Sequence, residues 1–540
     1  MSVQVDMAIN VTITAEELKE LLDEREAAHG LRHERDALRS ELRLVKAERD
    51  LAEERLRAYR RELFGATSEA RDAGQLGLFN EAEALAASAT PAQENVPGTK
   101  VAAHTRKKRG RKPLDPNLPR DVVRHNLPES ERFCTNDGHA LVEIGVEVSE
   151  QLDVIPEQVR VIQHQRVKYA CPCCDLGIKV TPAPTRIIPR GLFTESALAW
   201  IATGKYQFGM PLYRQAALLR RFGGDISANT IAASMVRVGL AVQPVINLMR
   251  DSLFDSDLIY GDETTFQVLK EPGRRAQTKS YVWVQMNGSG PPVRLFSYAP
   301  GRGTAHAKAI YAGIRPGTAL ITDGYELYNG LATENQLVHL GCWAHARRGF
   351  IKAEEAVPKA ARTPQLMATR FVKLIARLFA AEARSADWRP MQRQRLRQRY
   401  SARVLQAIEA LLHEQLPITV PGSLLGKAMQ YLHGQWPKLV RYVEDGTWPI
   451  SNNPCENAIR PFVLGRKGWL FATTVAGANA SANLYSLVET CKANGVDPYQ
   501  YLNWLFKKLP LATSADDYAA LLPWTMPASR VERVGTLQST

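Results

Sequence analysis

LIYGDETTFQVL, residues 258–269, is the stretch whose reading decides the fold. It opens on the apolar, β-prone run Leu258, Ile259, Tyr260 and delivers a carboxylate, Asp262, where that run ends. A second run, Ala319-Leu320-Ile321, delivers Asp323 in the same way inside LITDGYELYN (320–329). Between them SYVWVQM (280–286) and VRLFSYA (293–299) read as two more strands, and a helical stretch begins near Thr304. A third acidic residue, Glu456 of SNNPCENAIRP (451–461), has helical spacing around it.

Three strands, a helix and a fourth strand are the opening of a ribonuclease H-like fold, whose first and fourth strands bring two aspartates together. The 61 positions from 262 to 323 leave room for that meander and helix. The 133 from 323 to 456 exceed what a strand and a helix require, so a mainly helical insertion is expected at 354–448. Its segment 391–416, MQRQRLRQRYSARVLQAIEALLHEQL, suits backing the fold or touching phosphate.

Carboxylates are hard oxygen ligands of the kind that hold Mg²⁺. Transfer of a polynucleotide strand uses two divalent cations about 4 Å apart, one at the attacking oxygen and one at the leaving oxygen. Asp262 would bridge both, with Asp323 and Glu456 each holding one, and Mn²⁺ can substitute. Taken singly, each acidic residue is more often structural; the combination carries the reading. Glu263 alternates to the opposite face of the strand and is a poorer ligand.

A chain of 540 residues with 45% hydrophobic content exceeds one core and implies several globular domains. A net charge of +13 and a pI near 9.4 fit a polyanionic partner, with an ordinary solvated basic surface as the alternative. The start, MSVQVDMAIN, lacks a leader pattern, and no apolar run approaches the roughly 20 residues that span a bilayer, so a cytoplasmic protein without membrane contact is expected. Seven scattered cysteines argue against a disulfide framework.

Residues 1–75 read as an N-terminal helix: Leu31, Leu38, Val45, Ala52 and Tyr59 recur every seven positions with Leu42 and Leu56 between them, fitting a coiled-coil homodimer, although Arg35 and Arg49 interrupt the seam. A basic linker (76–127) carries Lys107, Lys108, Arg109 and Arg111, able to follow a DNA backbone or to act as a solvated tether. Residues 128–190 form a small module where Cys171 and Cys174 have zinc-knuckle spacing, with Cys134 and His139 as the other ligands and Cys173 or Asp137 as substitutes. The region 191–244 holds two short helical patterns separated by Gly223-Gly224-Asp225. As a helix-turn-helix, with Ser227 capping the second helix, it would offer Asn229, Thr230 and Ser234 to base edges; an ordinary helical pair is the competing reading. The catalytic region is placed at 245–475, followed by helices at 476–540.

Long motifs then occur in one order: RRELFGATSE (60–69), GRKPLDPNLPRDVV (110–123), EQLDVIPEQVRVIQHQRVKYACPCC (150–174), GMPLYRQAALLRRFGGDISANTI (209–231), GCWAHARRGF (341–350), NNPCENAIRPFVLGRKGWLF (452–471) and YSLVETCKANGVDPYQYL (485–502). Over most of its length the chain resembles the transposases of the IS-sixty-six insertion-sequence family. That resemblance implies a DDE mechanism on Asp262, Asp323 and Glu456, with Arg460 and Lys467 contacting transposon-end phosphates and Cys342, His345 and Arg348 lining or bracing the site. It also implies a bacterial, nucleoid-associated enzyme that binds terminal inverted repeats and target DNA, aided by small accessory proteins of the same element. Two positions depart from the family pattern: Ser451 stands where an aspartate is usual, and Asp137 where the first zinc half-site usually has its second cysteine. A non-cleaving repressor derived from a transposase, and a nuclease that hydrolyses without joining, are the competing functions.

Overall fold

The structure is a computed structural model that describes residues 14–64, 159–166, 168–169, 179–180, 183–358 and 362–527. The basic run at 106–112 and the expected zinc ligands Cys134, His139, Cys171 and Cys174 lie outside them. In chain order come helix α1 (Ala15–Phe64) and the short antiparallel pair β1 (Lys168–Tyr169) and β2 (Lys179–Val180). Four helices follow, α2 (Glu195–Tyr206), α3 (Leu212–Arg221), α4 (Ala228–Ala241) and α5 (Gln243–Phe254). The central α/β part runs β3 (Leu258–Lys270), β4 (Lys279–Asn287), β5 (Arg294–Ala299), α6 (Thr304–Ile310), β6 (Ala319–Ile321), α7 (Leu327–Glu334) and β7 (Val338–Leu340). Then come α8 (Trp343–Ala356), α9 (Met367–Arg384), α10 (Pro390–Leu396), a π-helical turn (Arg397–Ser401), α11 (Ala402–Gln415) and α12 (Leu424–Leu439). Last are α13 (Asn453–Trp469), β8 (Ala472–Thr474), α14 (Val475–Ala493), α15 (Pro498–Lys508) and the short α16 (Ala515–Ala519).

The strand order is β5-β4-β3-β6-β7, with β8 also pairing β3. β4 and β5 are antiparallel, whereas β3, β6 and β7 run parallel. The meander, helix and fourth strand read from the sequence are therefore present, and the mixed sheet is consistent with a ribonuclease H-like core. The chain divides into two compact units, and the division passes through β3 and α13.

The first unit includes residues 14–64, Leu258–Asp262 and Arg315–Asn457. Between β7 and α13 its described residues form the helices α8 to α12 with short helical turns. These helices bury Trp343, Phe350, Phe371, Ile408, Met429 and Leu432 in one core. Phe350 stacks on Phe371 with ring centroids 4.4 Å apart, and Trp343 Nε1 donates to the Leu439 carbonyl at 2.8 Å. Leu31, Leu38, Leu42 and Val45 of α1 are more than half exposed.

The second unit includes Glu263–Ile314, residues 159–257 and residues 458–527. Here α14 is buried along nearly its whole length, which its small residues Ala478, Ala480, Ser481 and Ala482 permit. It covers the edge strand β5: Ser486 Oγ accepts from Phe296 N at 2.8 Å and Thr490 Oγ1 from Arg294 N at 3.0 Å. Those hydroxyls satisfy backbone groups that an uncovered edge would leave to solvent or to another chain. The helices expected at 211–239 are α3 and α4, and Ser227 caps α4 by accepting from Thr230 N at 3.1 Å. No single described helix is long and apolar enough to cross a membrane; the bent pair α4 and α5 passes by composition, but Ile231, Met235, Val245 and Met249 are buried in the chain's own core.

Candidate active site

Strand β3 pairs β6 in parallel with Tyr260 opposite Ile321. Asp262 and Asp323 each lie two residues beyond those partners, so they sit level with one another across strands whose axes are about 4.8 Å apart. Asp323 follows the end of β6, but Asp262 is not at a strand end as the apolar run suggested, because β3 continues through the β-prone Thr264, Thr265, Phe266 and Val268 to Lys270. Both residues are half-buried. Asp323 Oδ1 accepts from Tyr325 N at 2.9 Å, closing a local turn over Gly324. Gly324 is needed there: its φ is +91°, and a Cβ would come within 2.8 Å of the Tyr431 hydroxyl and 2.9 Å of Gln435 Oε1. That absence of a side chain lets α12 grip the turn. Tyr431 donates to the Asp323 carbonyl at 2.6 Å, and Gln435 Nε2 to the Gly324 carbonyl at 3.2 Å.

Glu456 sits in the first turn of α13, where a helix favours negative charge, and is 2% exposed. Arg348 of α8 meets it at 3.2 Å from Nη2 to Oε2. His345, one turn earlier on α8, brings Nδ1 to 3.3 Å from Oε1. The start of α13 is tied to the strand that carries Asp262: Asn452 Nδ2 donates to the Gly261 carbonyl at 3.0 Å, while Asn452 N donates to Cys342 Sγ at 3.1 Å. One asparagine thus links β3, the start of α8 and the start of α13.

Burial, reinforced by Arg348, lowers the His345 pKa to about 4 against the opposing pull of Asp323, so the imidazole is neutral near pH 7. Burial and then Glu456 push the Cys342 thiol up to about 12, leaving it protonated. The ligand atoms of Cys342, His345 and Glu456 all lie within 4.8 Å of one another. A protonated thiol is a poor ligand for a hard cation, and carboxylates suit one. The Oδ1 atoms of Asn452 and Asn453 are buried without a hydrogen-bond partner. Orphaned oxygens beside a buried carboxylate fit a nearby cation, and the donor set of Asp262, Asp323 and Glu456 fits Mg²⁺ or Mn²⁺ better than a soft metal.

The other expected residues fall elsewhere. Arg460, half-buried, and Lys467, exposed, follow Glu456 along α13 and belong to the second unit. Asn229 and Thr230 are exposed in the first turn of α4. Glu263 pairs with Arg302 and has a side chain only 1% exposed. Tyr431 and Gln435 were not singled out in the sequence, since nothing local marks a contact across more than 100 positions. Asn452 was visible only as one of the paired asparagines.

Comparison with known proteins gives the family. The model of the transposase IS66 family matches residues 190–480, over half the chain, and that of the IS66 C-terminal element matches 486–524. The zinc-finger binding domain of transposase IS66 matches 131–175, and a leucine-zipper element described as transposase C of IS166 homeodomain matches 51–123. Uncharacterized protein y4qI of Sinorhizobium fredii is 33% identical over 414 residues, covering 74% of each chain. Uncharacterized protein y4jD of the same organism is 29% identical over 430 residues, covering 77% of this chain and 82% of that one. The chain belongs to the IS66 family of transposases and is a DDE-type polynucleotidyl transferase.

Proposed function

We propose that this transposase binds the terminal inverted repeats of its own element, cuts the phosphodiester at each end to free a 3′-hydroxyl, and joins that hydroxyl to target DNA. The observation that carries the reading is the placement of two aspartates level with one another on adjacent parallel strands, Asp262 within β3 and Asp323 just past β6, with Glu456 on the helix that Asn452 ties to β3. Divalent cations held by Asp262, Asp323 and Glu456 would supply activation of the attacking oxygen and stabilisation of the leaving one. In the first step water attacks phosphorus and the bond to the 3′-oxygen breaks; in the second the 3′-hydroxyl attacks a target phosphodiester and displaces its 3′-oxygen. No covalent bond to protein is needed in either step.

The residues around the carboxylates serve that chemistry. Arg348 pairs with Glu456 and orients it, and neutral His345 adds no net charge beside it. Tyr431 and Gln435 fix the Asp323 turn by its backbone carbonyls. Arg348, Arg460 and Lys467 supply cations for end phosphates, the basic run Lys107, Lys108, Arg109 and Arg111 tracks the backbone, and Asn229 and Thr230 reach base edges. Zinc on Cys134, His139, Cys171 and Cys174 would hold the small module together, and α1 would pair two chains.

Replacing Asp262, Asp323 or Glu456 with Ala is expected to abolish cleavage of DNA carrying the element's ends while binding to those ends stays within a few-fold of wild type. Gel shift and strand-cleavage assays on the same preparations check this. Cleavage that survives in any of the three variants would sink the assignment of that residue.

A further inference from the structure

Helix α9 (Met367–Arg384) has two unlike faces. Its inner face buries Phe371, Ile375, Leu378 and Phe379 in the first unit's core. Its outer face exposes Arg370, Lys373, Arg377 and Arg384. Arg370, Arg377 and Arg384 are spaced seven apart, so they form one nearly straight row, and Lys373 lies one turn from two of them. At a rise of about 1.5 Å per residue the row is about 21 Å long. The helix has one acidic residue, Glu382, and it is turned away from the row to hold the buried Arg397 at 2.9 and 2.6 Å. Residues 369–403 contain ten Lys and Arg against two Asp and Glu. Solvated helix faces usually alternate sign, because like charges one turn apart repel. Here the excess is concentrated instead.

The π-helical turn that follows α10 completes the surface. It sends Arg397 inward and brings Tyr400 beneath the row. The guanidinium carbons of Arg377 and Arg384 lie 5.8 and 6.0 Å from the Tyr400 ring centroid, and Arg377 Nε donates to the Tyr400 hydroxyl at 3.4 Å. The ring restrains two long side chains that would otherwise lose rotamer freedom on binding, which lowers the entropic cost of a contact. Arg399 and Arg403, also exposed, continue the positive surface on either side of Tyr400 in the chain.

We infer that this face of α9, with the turn carrying Tyr400, is a track for the phosphate backbone of duplex DNA. A rigid straight row of cations matches a rigid, evenly charged polyanion, and duplex DNA carries a phosphate about every 3.4 Å along each strand. Without base-reaching groups in the row, the track holds DNA regardless of sequence. That suits target DNA or DNA flanking the ends more than the repeats themselves. The inference rests on the DNA-joining reading above and adds a place on this chain where the DNA runs.

Salt dependence is the direct test, because each phosphate neutralised contributes about −0.9 to the slope of log K against log salt. Fluorescence anisotropy of the full chain with a labelled duplex of arbitrary sequence would be followed across a salt series. The combined variant Arg370→Ala, Lys373→Ala, Arg377→Ala, Arg384→Ala is expected to lose about 3 to 4 from the slope and at least about tenfold in affinity at physiological salt. Replacing the three arginines with Lys should keep the slope, and Lys507→Ala with Lys508→Ala, at exposed positions on α15, should leave it unchanged. All substituted positions are exposed, so an unaltered thermal midpoint would exclude misfolding. An unchanged slope in the fourfold variant, or one no lower than in the α15 pair, overturns the track alone. Wild type that shows no salt-dependent binding to duplex overturns both the track and the DNA-joining reading.

Discussion

Asp323 depends on its neighbours in a way that a single pair of residues makes visible. Thr322, directly before it, shares a 3.0 Å hydrogen bond with His339 Nε2 of β7. Burial, with Lys438 and Arg441 adding to it, lowers the His339 pKa from an ordinary 6.5 to about 3. The folded protein therefore keeps this ring neutral while the unfolded chain takes up a proton below about pH 6.5, so the stability it contributes is complete above that pH and is lost as pH falls toward 3. Over that window the loss is up to about 1.4 kcal/mol per pH unit. Urea unfolding at pH 7 and pH 5 should show a fall in midpoint that is smaller in His339→Asn; equal falls would assign the proton uptake elsewhere. Both aspartate positions were legible as acidic residues just past apolar runs, although only Asp323 follows a strand end, because β3 runs on past Asp262 to Lys270. Thr322 and His339 were not, since a hydrogen bond between neighbouring strands leaves no pattern within either one.

Among the elements, α9 to α11 show how the expected insertion is held. Arg397 is 1% exposed and is satisfied by Glu382 and by the carbonyls of Tyr442 and Asp445. Removing one partner of a buried ion pair strands the other charge, so Glu382→Ala should cost about 3–5 kcal/mol, whereas replacing both with apolar residues of similar volume should be far milder. Chemical unfolding of the single and double variants checks this, and a single-variant loss under about 1 kcal/mol would mean that the pair behaves as an exposed one. Helical spacing and the length between Asp323 and Glu456 made the helices legible. The π-helical turn was not, because the turn's register depends on where Arg397 finds its acceptors, and those come from 45 and 48 positions away. Close helix contacts were equally hidden: a Cβ at Gly239 would come within 2.4 Å of Ala480, a restriction that no local propensity records.

At the scale of the whole molecule, composition announced a polyanionic partner, and the order of the long motifs announced the family. The split into two compact units was not legible. Linkers show as changes in composition, whereas this division runs inside β3 and α13, each a continuous element. Assembly is the remaining property at this scale. Leu31, Leu38 and Val45 are 67%, 57% and 54% exposed on α1 at heptad spacing, an apolar row whose burial between two chains would form a coiled coil. Light scattering is expected to give a dimer for the full chain and a monomer after Leu31→Lys, Leu38→Lys and Val45→Lys together; a mass unchanged by those substitutions would place the dimer contact elsewhere. Strand joining tests the account most directly. A labelled element end with a free 3′-hydroxyl would be incubated with target DNA and Mg²⁺, using wild type and Asp323→Ala, with a chelator control. The account predicts joined product with wild type alone, none with chelator and none with the variant. Joining that persists without divalent cation, or in Asp323→Ala, would contradict it.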